Sequence, residues 1–201
     1  KKTLLHVGCG KKTLSHLPDF FAEGWNETRY DIDPVCEPDI EGDITDLGAF
    51  KTSSVDAIWS SHNIEHLFAH EAPVAIGEFR RVLKKKGMLV LTCPDLKSVC
   101  RAAGTHGLDA VLYKSPMGPI TPRDVLFGHQ ASVQAGGEHM AHKNGYDLQS
   151  LNRLLSRAGF KKVYGERKGF ELWFIATDAP LSTEEARDQL AAVKPQRLER
   201  A

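Results

Sequence analysis

The sequence has no CxxC pair, no excess of either charge and no apolar run long enough to cross a bilayer. Twenty-six Lys and Arg balance 26 Asp and Glu, so there is no basic footprint for duplex DNA or RNA, which needs clustered cations. Stretches such as Met88 to Cys93 fall far short of the roughly 20 residues that span a membrane, and no charged-then-apolar leader precedes Leu4. The four cysteines, Cys9, Cys36, Cys93 and Cys100, show no zinc-like spacing and read as reduced, mostly buried thiols. The expectation is a soluble, cytoplasmic protein. What is present is ordinary globular material: 201 residues, 41% hydrophobic, enough for one domain with a core of its own.

Periodicity divides the chain into alternating elements. Apolar strands are expected over Thr3 to Val7, Thr28 to Asp33, Asp39 to Gly42, Val55 to Ser60 and Met88 to Thr92. Pro34 and Pro38 forbid a helix between the second and third of these. An amphipathic helix is expected over Glu71 to Lys85, with Val74, Phe79, Val82 and Leu83 inward and Lys84-Lys85-Lys86-Gly87 as its stop. Asp147 caps a second helix through Arg157, and Lys161 to Glu166 with Phe170 to Thr177 form a closing hairpin. Between them, about 94–145, the pattern dissolves among prolines and glycines, and an insert of that length is usually functional. The expected architecture is α/β, Rossmann-like and doubly wound: a seven-stranded, mostly parallel sheet with an antiparallel last strand and an inserted lid. Residues 1–178 form this domain, and 179–201 a charged tail helix read as a solvated appendage.

In such a sheet, ligands sit at the carboxyl ends of the strands, which directs attention to the residues just beyond each one. Leu5-His6-Val7-Gly8-Cys9-Gly10 places two glycines where a strand turns into a helix, permitting close backbone approach. Asp33 falls at the end of the second strand, where a carboxylate can accept from both hydroxyls of a ribose. Together they describe a nucleoside pocket.

These residues resemble the class I S-adenosylmethionine-dependent methyltransferases, closely over residues 3 to 93 and loosely over 145 to 177. The resemblance implies that His6, Gly8, Cys9 and Gly10 wrap the methionine part of S-adenosylmethionine and that Asp33 holds the ribose. Asp43 and Ile44 of Gly42-Asp43-Ile44 would read adenine, and Ser60, Ser61 and His62 would form the loop after the fourth strand. The chain departs from the family in having His6 where an acid often opens the loop and Lys12 where a further glycine often stands.

Methyl transfer from a sulfonium needs alignment and exclusion of water, and a base only where the acceptor is protonated. His62 is the first candidate for that base, by position and by an ordinary imidazole pKa; His66, His129, His139, His142 and Tyr113 are others. His62-Asn63-Ile64-Glu65-His66 also resembles the Glu-x-x-Glu-His pattern with which some methyltransferases hold a divalent metal. On that reading His62, Glu65 and His66 would be ligands, with one more from His129, His139 or His142; the metal-free reading is preferred. The implied activity is transfer of a methyl group to an oxygen or nitrogen of a small molecule, a sugar or natural-product intermediate first. A non-catalytic S-adenosylmethionine-binding partner subunit and a nicotinamide-dependent oxidoreductase are the alternatives, and the oligomeric state is open.

Overall fold

The computed structural model describes residues 1–192. In chain order the elements are β1 (Lys2–Val7), β2 (Trp25–Asp31), β3 (Ile40–Glu41), β4 (Val55–Ser61), α1 (Ala72–Val82), β5 (Leu83–Pro94), α2 (Leu96–His106), β6 (Tyr113–Ser115), β7 (Gly118–Ile120), α3 (Pro122–Phe127), α4 (Gln130–Gln134), α5 (Leu148–Arg157), β8 (Lys162–Lys168), β9 (Glu171–Thr177) and α6 (Thr183–Ala192). Seven strands form the main sheet in the order β3-β2-β1-β4-β5-β9-β8. Strands β1 to β5 pair in parallel, and β9 runs antiparallel to both of its neighbours. This is the expected Rossmann-like, doubly wound sheet. The chain winds outward from β1 through β2 to β3, then returns to β1's other side with β4, so the switch in strand order lies between the carboxyl ends of β1 and β4.

The two faces of the sheet are covered differently. Leu5, Val7, Ile58, Leu89 and Leu91 pack under α1, through Ala75, Ile76 and Phe79, and under α5, through Leu151 and Leu155. Asp147 caps α5 by accepting from the Ser150 amide, and Gly159 ends it at φ +96°. On the other face Leu4, Ala57 and Val90 lie beneath a layer of Phe21, Trp25, Trp59 and Trp173. Successive ring centroids there are 5.3 to 6.0 Å apart, so aromatic rings do the covering that helices do opposite.

Phe21 joins that layer from the β1–β2 connection, where the helix expected after the glycine loop does not form. Short 3-10 turns, Leu14–His16 and Asp19–Phe21, connect β1 to β2 instead. Pro18 offers no amide to a continuing helix, and the Leu14 amide is taken by the Glu27 carboxylate. The strand β2 also ends earlier than expected, at Asp31, leaving Asp33 beyond it as the cap of a turn at Pro34–Cys36.

Helix α1 stops at Val82, before the lysines, and Val74 is exposed. Leu83 pairs with Val55, and the register then jumps so that Met88 faces Ala57, making Lys84 to Gly87 an irregular entry into β5 rather than a helix end. Lys84 is held there by Asp56. The insert is not structureless: Asp95 precedes α2, Gly107 ends it, and β6, β7, α3 and α4 follow. The tail is not a free appendage as far as it is described, since α6 buries Ala186 and Leu190, the latter against the aromatic face; residues 193–201 lie outside the described part. Cys9 and Cys93 are buried as expected, whereas Cys36 is half-buried and Cys100 exposed.

Candidate active site

The glycine loop is shaped by side chains that reach it from other strands. Gly8 and Gly10 have φ of +55° and +53°, where a β-carbon is strained. A β-carbon on Gly8 would also stand 1.8 Å from Oδ1 of Asn63. Asn63 fills that space because its Nδ2 donates to the Val7 carbonyl (2.9 Å) and to Oγ of the buried Ser60 (3.2 Å). Asp31 accepts from the Gly10 amide with Oδ2 (2.7 Å) and from the Asp33 amide with Oδ1 (3.0 Å). Arg29 donates to the carbonyls of Gly10, Lys12, Cys36 and Glu37, tying the glycine loop to the turn after β2.

A cleft of about 350 Å³ opens over this loop, a size suited to a nucleoside-bearing ligand. Its wall includes Gly8, Cys9, Gly10, Asp31 and Asp33 on one side and Gly42, Asp43 and Ile44 on another. Gly42 is needed there, because a β-carbon would meet the Tyr30 hydroxyl at 2.0 Å. That hydroxyl donates to the carbonyls of Asp43 and Asp46 and fixes the loop. His6 also borders the cleft but is buried, with Nδ1 2.7 Å from Oε1 of Glu27. Burial pushes its pKa down, against the pull of Glu27. The insert supplies His139, Met140 and Lys143 as a roof, with His139 Nε2 3.8 Å from Asp33 Oδ2. The segment expected to act as a lid therefore does border this cleft.

A second cavity of about 260 Å³ lies beside the first and shares Lys12, Trp59, Ser61 and His62 with it. Its remaining wall includes His16, Asp19, Thr92, Glu171 and Trp173. His62 stands between the two with its backbone at φ +57°, a strained value for a residue with a side chain. Its amide donates to the Thr92 carbonyl, and its ring lies between two acids, Nδ1 3.2 Å from Glu65 and Nε2 3.1 Å from Glu171. Burial lowers the ring's proton affinity, but the carboxylates of Glu171 and Glu65 outweigh it and raise the pKa to about 10. Both ring nitrogens are thus engaged by carboxylates, an arrangement that favours the protonated ring over the free base with an ordinary pKa expected from the sequence.

Other expected residues separate. Ser60 is fully buried and positions Asn63, outside the cleft lining. His129 lies outside both cavities, its Nδ1 2.8 Å from Oγ of Ser132 at the start of α4. Tyr113 stacks on Phe170 beyond them, and burial lifts its hydroxyl to about 12. His66 borders the cofactor cleft. Of the metal ligands raised from the sequence, Glu65, His66 and His142 come together, whereas His62 is committed to its two carboxylates.

Asp31, Arg29, Asn63 and Glu171 escaped the sequence reading. Asp31 had a legible signal, as one of two acids in Asp31-Ile32-Asp33. Glu171 had a weaker one, an acid opening the apolar run Leu172 to Ala176. Nothing local marks Asn63.

Residues 5–91, which run from β1 into β5, match the family model of the methyltransferase domain. Over that stretch the chain is similar to the class I S-adenosylmethionine-dependent methyltransferases, in agreement with the resemblance carried by its glycine loop and acids. The match supports a methyltransferase enzyme with S-adenosylmethionine as cofactor and favours it over the nicotinamide reading of the same glycine turn. Solved structures agree in fold. The PH0226 protein of Pyrococcus horikoshii superposes with a TM-score of 0.58 at 14% identity, covering 88% of this chain and 82% of its own. A SAM-dependent methyltransferase of Archaeoglobus fulgidus gives 0.55 at 13% identity, covering 87% and 85%. The 1,6-didemethyltoxoflavin-N1-methyltransferase of Burkholderia thailandensis gives 0.53 at 12%, covering 87% and 70%. No curated protein matches the sequence.

Proposed function

We propose that the enzyme methylates a nitrogen or an acidic oxygen of a small, flat acceptor seated in the second cavity. The observation that carries this is the pairing of two cavities across one wall, Ser61 and His62. The glycine-loop cleft would hold the cofactor, with His6, Gly8, Cys9 and Gly10 for the methionine part, Asp33 and Asp31 for the ribose, and Asp43 and Ile44 for adenine, all of them lining it. The cofactor supplies an activated methyl group for in-line displacement, so the protein's task is to align the acceptor's lone pair and exclude water.

The second cavity's chemistry narrows the acceptor. Trp59 and Trp173 on its wall suit a planar ring, and about 260 Å³ suits a molecule of one or two rings. His62 keeps its proton, and the Glu171 carboxyl is held below the ordinary range: His62 outweighs its burial. Paired in this way, neither group is poised as a strong base toward an alcohol. That argues for an acceptor already nucleophilic near neutral pH and against the sugar hydroxyl expected at first. Glu171 instead accepts a hydrogen bond from the acceptor and orients it. The Burkholderia protein was solved with a heterocyclic acceptor, 1,6-didemethyltoxoflavin, bound; a carbon methyltransferase shares the fold as well, so the fold does not set the methylated atom. The free thiols and this cofactor support a cytoplasmic setting.

Thermal unfolding with S-adenosylhomocysteine tests the first half. At 100 times its Kd a ligand adds about 2.7 kcal/mol, a rise of roughly 5–10 °C for a chain of this size. Glu171→Gln tests the second: the charge-assisted contact is worth about 1.5–3 kcal/mol, so kcat/KM should fall roughly 10- to 100-fold with unchanged homocysteine-compound affinity. Equal turnover by the variant would remove the acceptor from this cavity.

A further inference from the structure

We propose that Glu65, His66 and His142 form a binding site for one zinc-like divalent cation that fastens the inserted segment to the turn after β4. One ligating atom from each of the three lies within 4.8 Å of the others. The Glu65 side chain is almost wholly buried, its Oε1 faces His62, and its Oε2 has no hydrogen-bond partner among the described residues. A buried carboxylate oxygen left unpaired is costly, and a cation is the partner that would satisfy it.

The two imidazoles are prepared in the same way. His66 donates from Nδ1 to the Ala141 carbonyl (3.2 Å), and His142 donates from Nδ1 to the Val125 carbonyl (2.6 Å). A backbone carbonyl on one ring nitrogen fixes the tautomer and leaves the other nitrogen, here Nε2, with its lone pair available for a metal. The rings stand edge to face, centroids 4.8 Å apart. Tetrahedral coordination at 2.0–2.1 Å places ligand atoms about 3.3 Å apart, so binding would draw the three together by up to about 1.5 Å. Two imidazoles and one carboxylate select zinc or cobalt over magnesium or calcium. Three protein ligands leave a fourth position for water.

The site would bridge two stretches already stitched together. The Glu65 carbonyl accepts from the amides of Lys143 and Asn144. A cation there would hold residues 141–144 against 64–66 and so steady His139, Met140 and Lys143 over the cofactor cleft.

The test uses the whole protein, stripped with a chelator and titrated with Zn2+ or Co2+, and needs no knowledge of the acceptor. One equivalent should bind, Co2+ should show the visible absorption of a four-coordinate site, and X-ray absorption of the Zn2+ form should show two imidazoles at 2.0–2.1 Å. Glu65→Gln and His142→Gln should each weaken Zn2+ at least tenfold, and millimolar Mg2+ or Ca2+ should not compete. Absence of stoichiometric Zn2+ binding by the unaltered chain, or a spectrum without imidazole ligands, would overturn the proposal. So would binding that survives both substitutions. Homocysteine-compound binding, measured in parallel, separates this outcome from failure of the methyltransferase site.

Discussion

The cofactor cleft and the second cavity share a wall but are built by different means. The cleft is made of backbone, with glycines at positive φ and carbonyls gripped by Arg29, and residues of adjacent strands complete it. The second cavity is made of side chains from distant parts of the chain, typified by His62 and Glu171, which are 109 residues apart in sequence yet in contact at 3.1 Å. Backbone shape is dictated locally and tolerates little change. A side-chain cavity can be re-lined while the sheet beneath it stays put, which is how one fold serves many acceptors.

Substitution at Gly8 should break the backbone side of this comparison most severely. In Gly8→Ala the new β-carbon would displace Asn63 and force an alanine to φ +55°. The left-handed backbone costs about 1–2 kcal/mol, and the lost Asn63 hydrogen bonds about 1 kcal/mol more. Tm should fall by roughly 5–10 °C, with cofactor affinity at least about tenfold weaker, as scanning calorimetry and isothermal titration would report. Asp33→Ala should do less: Oδ1 accepts only from the Val35 amide, so stability changes little. Loss of the contact to the ribose should still weaken S-adenosylhomocysteine by about tenfold. An unchanged Kd would pass the ribose to Asp31.

How much of each region the sequence disclosed follows from the same contrast. Gly8, Gly10 and the Gly42-Asp43-Ile44 segment were legible because strand, turn and acid succeed one another within a few residues, and all of them line the cleft. Asp147 and Gly159 announced α5 by local chemistry. The helix after the glycine loop was misread because its stop, Pro18, is reinforced by Glu27 from the neighbouring strand. The proton affinity of His62 was illegible for the same reason, since Glu171 arrives only when β9 docks beside β5. Within the insert, α2 had only its stop, Gly107, in view, while the meeting of His142 with Glu65 depended on tertiary folding.

The side-chain region should reveal itself through pH. His62 has a folded pKa of about 10, above the imidazole value of 6.5. The stability it contributes is therefore complete below about pH 6.5 and is lost as pH rises toward 10. Tm measured from pH 7 to 10 should decline, and in His62→Gln the decline should be shallower. Identical slopes would mean that the imidazolium between Glu65 and Glu171 is absent in solution.

The smallest effect should come from a histidine that the sequence offered as a catalyst. His129 lines neither cavity, and among the described residues its side chain is hydrogen-bonded to Ser132 near the start of a five-residue helix. His129→Ala should thus leave turnover and cofactor affinity within about twofold and cost under about 1 kcal/mol of stability. That result would set it apart from His139, which roofs the cleft only ten residues later. Loss of turnover in His129→Ala at unchanged stability would instead mean that the insert closes further over the acceptor, and the division between a backbone-built cleft and a side-chain-built cavity would have to include a third, moving wall.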